Sequence, residues 1–175
     1  MNIETLRCTL RPWCTKDAEA LVRNANSPKI ARNMTNIYPS PYRESDAAHW
    51  LNVRSTDVGP CAHLAVEIDG EAAGGVGIHT RTDVHAHTAE LGYWLGESYW
   101  GNGYMTEVIN VVVPYAFETF ELHRLEACQF GWNPASGKVL EKAGFRLEGC
   151  LREAIYKDGE YTDRLIYGLL RAEAE

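Results

Sequence analysis

Apolar and polar positions alternate along Leu64-Ala65-Val66-Glu67-Ile68, with Leu64, Val66 and Ile68 in phase. That two-residue period predicts a strand. Asp69-Gly70 follows, a dipeptide suited to a type I′ turn, so a hairpin into residues 72–79 is expected. Residues 88–95 predict another strand, with Gly92 marking a bulge or a close approach. Residues 5–13 and 124–130 read as two more. A second hairpin joins 151–157 to 161–169 through Asp158-Gly159.

Helical segments lie between these strands. Thr15 or Asp17 can cap a helix through Ala18, Leu21 and Val22, and Ser45 can cap one through Trp50 and Leu51. A third helix begins near Gly103 and runs through Val108, Ile109 and Val112 towards Phe120, with Pro114 expected to kink it or end its regular part. Asn133-Pro134 is a strong helix start, Asn as N-cap and Pro at the first helical position. Gly144 fits the left-handed position after that helix, where Phe145 can pack back on Leu140. Residues 26–44 hold three prolines and read as loop with short helical pieces. No repeat, low-complexity tract or linker interrupts the pattern. It predicts one α/β (α+β) domain over residues 1–175.

The stretch from Leu95 to Glu107 carries the first chemical signal. A strand ends, a loop holding Gly101 and Gly103 turns, and a helix starts. A helix N-terminus offers unpaired N–H groups and partial positive charge, and glycine lets a phosphate approach the backbone. The two glycines are equally consistent with an ordinary tight turn. The dinucleotide fingerprint fails, because it would need glycine where Thr106 stands. The P-loop also fails: Gly131 to Gly137-Lys138 is one residue too long, and Val139 follows the lysine.

Composition narrows the classes. The 175 residues are 45% hydrophobic and 23% charged, an ordinary globular balance, with a formal net charge of -7. No Lys/Arg run marks a nucleic-acid surface. No apolar stretch approaches the ~20 residues of a membrane span, and the opening residues through Arg7 carry charge rather than an apolar signal core. A cytoplasmic protein is the expectation. The five cysteines, Cys8, Cys14, Cys61, Cys128 and Cys150, form no Cys-x-x-Cys pair, so reduced thiols are expected. His79, His85 and His87 lack a completing ligand at a known spacing, and no metal site is predicted.

Four segments in order then point one way. They are Ala89-Glu90-Leu91-Gly92-Tyr93-Trp94-Leu95, Trp100-Gly101-Asn102-Gly103-Tyr104-Met105-Thr106-Glu107, Asn133-Pro134-Ala135-Ser136 through Phe145, and Leu147-Glu148-Gly149-Cys150-Leu151-Arg152. Together they resemble the GNAT superfamily of N-acetyltransferases, most closely its RimJ/RimL branch, over about residues 5–170. The resemblance implies a central mixed, mostly antiparallel sheet, splayed at a cofactor cleft between strands 88–95 and 124–130, with flanking helices. It implies acetyl-CoA as cosubstrate, its pantetheine arm along Trp94, Leu95 and Gly96 and its diphosphate on the loop from Trp100 through Gly101, Asn102, Gly103, Tyr104 and Met105 to Thr106. The family signature Gln/Arg-x-x-Gly-x-Gly/Ala is broken at Trp100 and Met105, so the backbone is expected to hold the phosphates.

The resemblance also supplies roles near the thioester. Asn133 matches a residue that bonds the pantetheine, Ser136 one whose hydroxyl lies near the sulfur, and Lys138 can reach the 3′-phosphate. Glu90 is the candidate base for the acceptor amine and Ser136 the candidate acid for the thiolate; each also has a plain structural reading. The acceptor is an amine, either a protein N-terminus or a small molecule such as an antibiotic, polyamine or amino acid. An acyl-CoA-binding regulatory domain without turnover is the non-enzymatic alternative. Dimers are common in the family, so a homodimer is a further expectation.

Overall fold

The computed structural model describes residues 2–55 and 59–174; Met1, residues 56–58 and Glu175 of the expected 1–175 domain lie outside the described residues. The strands are β1 (Ile3–Glu4), β2 (Thr9–Pro12), β3 (His63–Ile68), β4 (Glu71–Thr80), β5 (Thr88–Leu95), β6 (Arg124–Phe130), β7 (Arg146–Lys157) and β8 (Glu160–Leu170). The helices are α1 (Ala18–Ala25), α2 (Pro28–Ala31), α3 (Glu44–Ser55), α4 (Tyr104–Thr119) and α5 (Pro134–Lys142). The strands form one mixed sheet in the order β1-β2-β3-β4-β5-β6-β8-β7. β5 and β6 are parallel, and their ladder covers Thr88–Glu90 against Arg124–Glu126.

The chain divides into two units. The first runs to Gly77 and adds Tyr93–Val108; the second is Ile78–Gly92 with the chain from Ile109 onward. In the first, Trp13, Leu21, Ala25, Tyr42, Ala47, Leu51, Ala65 and Ala72 form a buried cluster, with Trp94 packed against it. Asp17 is also buried there, held by two bonds of 2.8 Å from the Arg11 guanidinium and one of 2.9 Å from the Cys14 N–H. Asp69 and Gly70 take φ of 52° and 83°, the left-handed pair that a type I′ hairpin between β3 and β4 requires.

In the second unit β6 alternates, with Leu125, Ala127 and Gln129 buried and Arg124, Glu126, Cys128 and Phe130 half-buried. α5 ends in a Schellman motif. Gly144 at φ 89° donates to Glu141 C=O at 3.1 Å and Phe145 to Leu140 C=O at 3.0 Å, with Leu140 and Phe145 both buried. Asp158 and Gly159, at φ 51° and 85°, close the β7–β8 hairpin.

Several boundaries differ from expectation. Of the strand expected over 5–13 only β2 forms; a turn precedes it, in which the Thr5 N–H donates to Cys8 C=O at 2.8 Å and the Thr5 hydroxyl accepts the Cys8 N–H at 2.8 Å. Asp17 stands at the N-cap position of α1 behind a 3-10 turn, Thr15–Asp17, but its side chain makes no capping bond, because its carboxylate is committed to Arg11 and Cys14. α3 starts at Glu44, so Ser45 lies inside it and does not cap it; Asp46, in the first turn, reaches back to accept the Arg43 N–H at 2.8 Å. Pro114 does not end α4. The carbonyl it leaves without an N–H belongs to exposed Asn110, while buried Val112, Val113, Ala116 and Phe117 hold the helix on both sides. β7 begins at Arg146, five residues earlier than the expected 151.

Candidate active site

The residues singled out in the sequence fall in both units. Trp94, Leu95, Gly96 and Trp100–Thr106 belong to the first; Glu90, Asn133, Ser136 and Lys138 belong to the second.

In the first unit the end of β5 is fixed by two hydrogen bonds, one from backbone and one from a side chain. The Gly96 N–H donates to Ala73 C=O at 2.8 Å, and the Trp100 indole N–H donates to Leu95 C=O at 2.7 Å. Backbone groups of successive strand residues point to opposite edges. With Gly96 facing β4, the Leu95 amide is directed away from β4. A short 3-10 turn, Glu97–Tyr99, follows. Lys29 and Ser27 both bind the Glu97 carboxylate, and the Tyr99 hydroxyl donates to Glu71 at 2.8 Å. Burial and that bond push the Tyr99 phenol up to about 12.

Gly101 and Gly103 then take φ of 78° and 83°. Nothing crowds the place a Cβ would take at Gly101, so the requirement there is conformational rather than spatial. Gly101, Asn102 and Gly103 are exposed, α4 starts at Tyr104, and Met105 is buried. Met105 therefore cannot offer its side chain to a ligand, and the turn presents backbone. Arg7 grips this turn from the β1–β2 hairpin. Its guanidinium donates to Glu107 at 2.8 Å and to Asn102 C=O at 3.0 Å, and lies 4.5 Å from the Tyr104 ring centroid.

In the second unit Glu90 stands in register with Glu126. Arg81 reaches Glu126 at 2.8 Å and Glu90 at 3.6 Å, and Arg124 binds Glu126 at 3.0 Å and also pairs with Glu148. Burial opposes ionisation of Glu126, but the Arg124 bonds and the charges of Arg81 and Arg124 outweigh it and hold its carboxyl below the ordinary value. Cys128 accepts a contact of 3.1 Å from Arg164, yet burial pushes its thiol up, away from the thiolate a nucleophile needs.

At the start of α5, Asn133 is the N-cap residue but its side chain makes no capping bond; its carbonyl takes the Ser136 N–H at 3.2 Å. Ser136 is half-buried and Lys138 exposed. Gly137 packs so closely that a Cβ would stand 2.5 Å from Gln129 Oε1 and 2.6 Å from the Tyr167 hydroxyl. At Gly92, where a bulge or a close approach was expected, an added Cβ would stand 3.4 Å from His79 Nε2. Among the described residues no group of three or more His, Cys, Asp or Glu could hold a metal ion.

Sequence reasoning missed Arg7, Arg81 and Glu126. The alternation of β6 puts Glu126 on its half-buried face, and parallel pairing with β5 would then have set it beside Glu90. Arg7 meets Asn102 and Glu107 across about a hundred residues of chain, a contact no local pattern encodes.

Comparison with known proteins gives this arrangement its family. The chain matches the acetyltransferase (GNAT) domain over residues 7–146. It is 30% identical over 184 aligned residues to YoaA of Bacillus subtilis (strain 168), an uncharacterized N-acetyltransferase, covering 97% of this chain and 96% of that protein. It is 37% identical over 81 residues to the ribosomal-protein-serine acetyltransferase of Escherichia coli (strain K12), covering 46% of this chain and 45% of that one. The structure of Mycobacterium smegmatis RimJ in complex with CoA-disulfide superposes with a TM-score of 0.83 at 25% identity, over 99% of this chain and 88% of that chain. The chain belongs to the GNAT family and is an N-acetyltransferase of RimJ/RimL-like kind.

Proposed function

We propose that this N-acetyltransferase takes its acetyl group from acetyl-CoA and places it on the N-terminal amine of a polypeptide, with residues 1–175 acting as one catalytic domain. The observation that carries the cofactor half is the turn at Gly101–Gly103. Two left-handed glycines expose backbone at the start of a sixteen-residue helix, and the buried Met105 leaves that backbone as the binding surface. The diphosphate is assigned to Trp100–Thr106, the pantetheine to Trp94, Leu95 and Gly96 with Asn133, and the 3′-phosphate to Lys138.

In this reading the neutral amine nitrogen attacks the thioester carbonyl carbon, the C–N bond forms and the C–S bond breaks. Glu90 takes the proton the amine loses, directly or through water, and the departing thiolate takes a proton from the Ser136 hydroxyl bonded to its sulfur, which solvent then restores. The Leu95 N–H is the donor to the carbonyl oxygen as negative charge gathers there. No metal takes part.

The acceptor half rests on the likeness to the ribosomal-protein-serine acetyltransferase named above and on the charge pattern around Glu90. Glu90, Glu126 and Glu148 are all matched to Arg81 or Arg124. A pocket for a small polycation would keep its carboxylates for the ligand. A cytoplasmic, homodimeric enzyme fits the same reading; among the described residues no helix is long and apolar enough to cross a membrane. Competition decides the acceptor: N-terminal peptides, lysine-only peptides, polyamines and aminoglycosides are offered together with acetyl-CoA, and products are read by mass spectrometry. Acetylation at peptide α-amines supports the reading. Acetylation confined to the small amines replaces it with a small-molecule acetyltransferase.

A further inference from the structure

β1 is only two residues long, at the edge of the sheet, yet the hairpin it makes with β2 ends in a well-tied turn. Within that turn the Thr5 hydroxyl accepts the N–H groups of Arg7 and Cys8 and donates to Cys8 C=O at 3.0 Å. The turn sets Arg7 against the start of α4. The Arg7 N–H donates to Glu107 Oε1 at 3.1 Å and the guanidinium Nε to Glu107 Oε2 at 2.8 Å. Nη2 donates to Asn102 C=O at 3.0 Å and stands 3.5 Å from the point a Gly103 Cβ would occupy. One side chain thus holds the residue before Gly103 and the first helical turn after it.

We infer that Arg7 is a positioning residue for the loop that receives the cofactor's diphosphate, an inference that rests on the acetyl-CoA reading above. Two physical effects follow from the contacts. A trans peptide sets its C=O and N–H on opposite sides. Gripping the Asn102 carbonyl therefore turns the Gly103 N–H away from Arg7, and that N–H is one of the unpaired donors at the helix start. Glu107 places a negative charge in the first turn of α4, where it would repel a bound anion. Arg7 neutralises it, with Glu107 itself only 21% exposed.

Calorimetric titration of CoA and of 3′-dephospho-CoA into wild-type protein, Arg7→Ala, Arg7→Lys and the double variant Arg7→Ala/Glu107→Gln tests this. Arg7→Ala is expected to weaken both ligands by the same factor, about tenfold, for the loss of roughly one charge-assisted interaction. Arg7→Lys keeps the charge but not the fork that spans Asn102 and Glu107, and should fall between. Should Arg7→Ala fail to fold, Arg7→Lys carries the test alone. The double variant should recover the part due to charge. Unchanged affinity in a folded Arg7→Ala or Arg7→Lys variant overturns the inference, and so does a penalty that vanishes with 3′-dephospho-CoA. If wild-type protein binds neither ligand, the acetyl-CoA reading itself fails, a result distinct from either.

Discussion

Glu90 and Glu126 face each other across the parallel β5–β6 ladder, and Arg81 reaches both carboxylates, Glu126 at 2.8 Å and Glu90 at 3.6 Å. The asymmetry matters. Glu126 is also bound by Arg124, so it serves as the arginines' anchor, while Glu90 keeps the looser contact and 37% of its side chain exposed. Of the two, Glu90 is the one to which the proposed mechanism gives the proton of the incoming amine.

Glu90→Gln is therefore expected to lower kcat/KM for acetyl transfer by about 10²-fold or more, the scale of a lost general base, with CoA affinity unchanged. Initial rates and a CoA titration on the same preparation check both halves. A variant with full activity would remove Glu90 from the mechanism.

Asp17 governs an acid limb of stability. Burial raises its carboxyl, but the bonds from Arg11 and the Cys14 N–H prevail and hold it below the ordinary value. A carboxylate depressed by folding stabilises the protein above its unfolded pKa, near 4, and that contribution is lost as pH falls through the lower folded value. Urea unfolding should show stability falling below about pH 4. Asp17→Ala should cost about 1–3 kcal/mol at pH 7, since it removes the two-bond pair and leaves Arg11 its contact with Glu67, and should flatten the acid limb.

Gly74→Ala probes the end of β5. The added Cβ would land on the Trp94 carbonyl oxygen and 2.9 Å from Leu95 Cα, and backbone cannot swing aside as a side chain can. A destabilisation of about 1–3 kcal/mol is expected, together with weaker CoA binding as Leu95 is displaced. Gly159→Ala is the contrast. It strains a φ of 85° in open space, so it should cost about 1 kcal/mol and leave CoA binding intact. Thermal melts and CoA titration of the two variants separate these outcomes.

What could be read from the chain was what local rules encode. β5 and β6 span the residues read as strands, and Asn133-Pro134 and Gly144-Phe145 bracket α5, although the Asn133 side chain makes no capping bond. The differences arose where a partner distant in sequence, or packing in the finished fold, took over. Arg11 claimed the Asp17 carboxylate, α3 starts at Glu44 and takes Ser45 inside it, and buried neighbours carried α4 past Pro114 instead of letting it end there. The glycine turn of the candidate site was legible because left-handed φ leaves a mark on sequence. Its brace, Arg7, and the arginines around Glu90 were not, because ion pairs between strands and loops depend on the finished topology.

Acetyl transfer itself is the most direct measurement. Purified protein is incubated with acetyl-CoA and N-terminal peptides, and free CoA thiol is followed colorimetrically against an acceptor-free control that subtracts the protein's own cysteines. The account predicts peptide-dependent thiol release matched mole for mole by an α-N-acetylated product. Protein that fails to bind acetyl-CoA, or that binds it and releases no thiol with any amine offered, would contradict it.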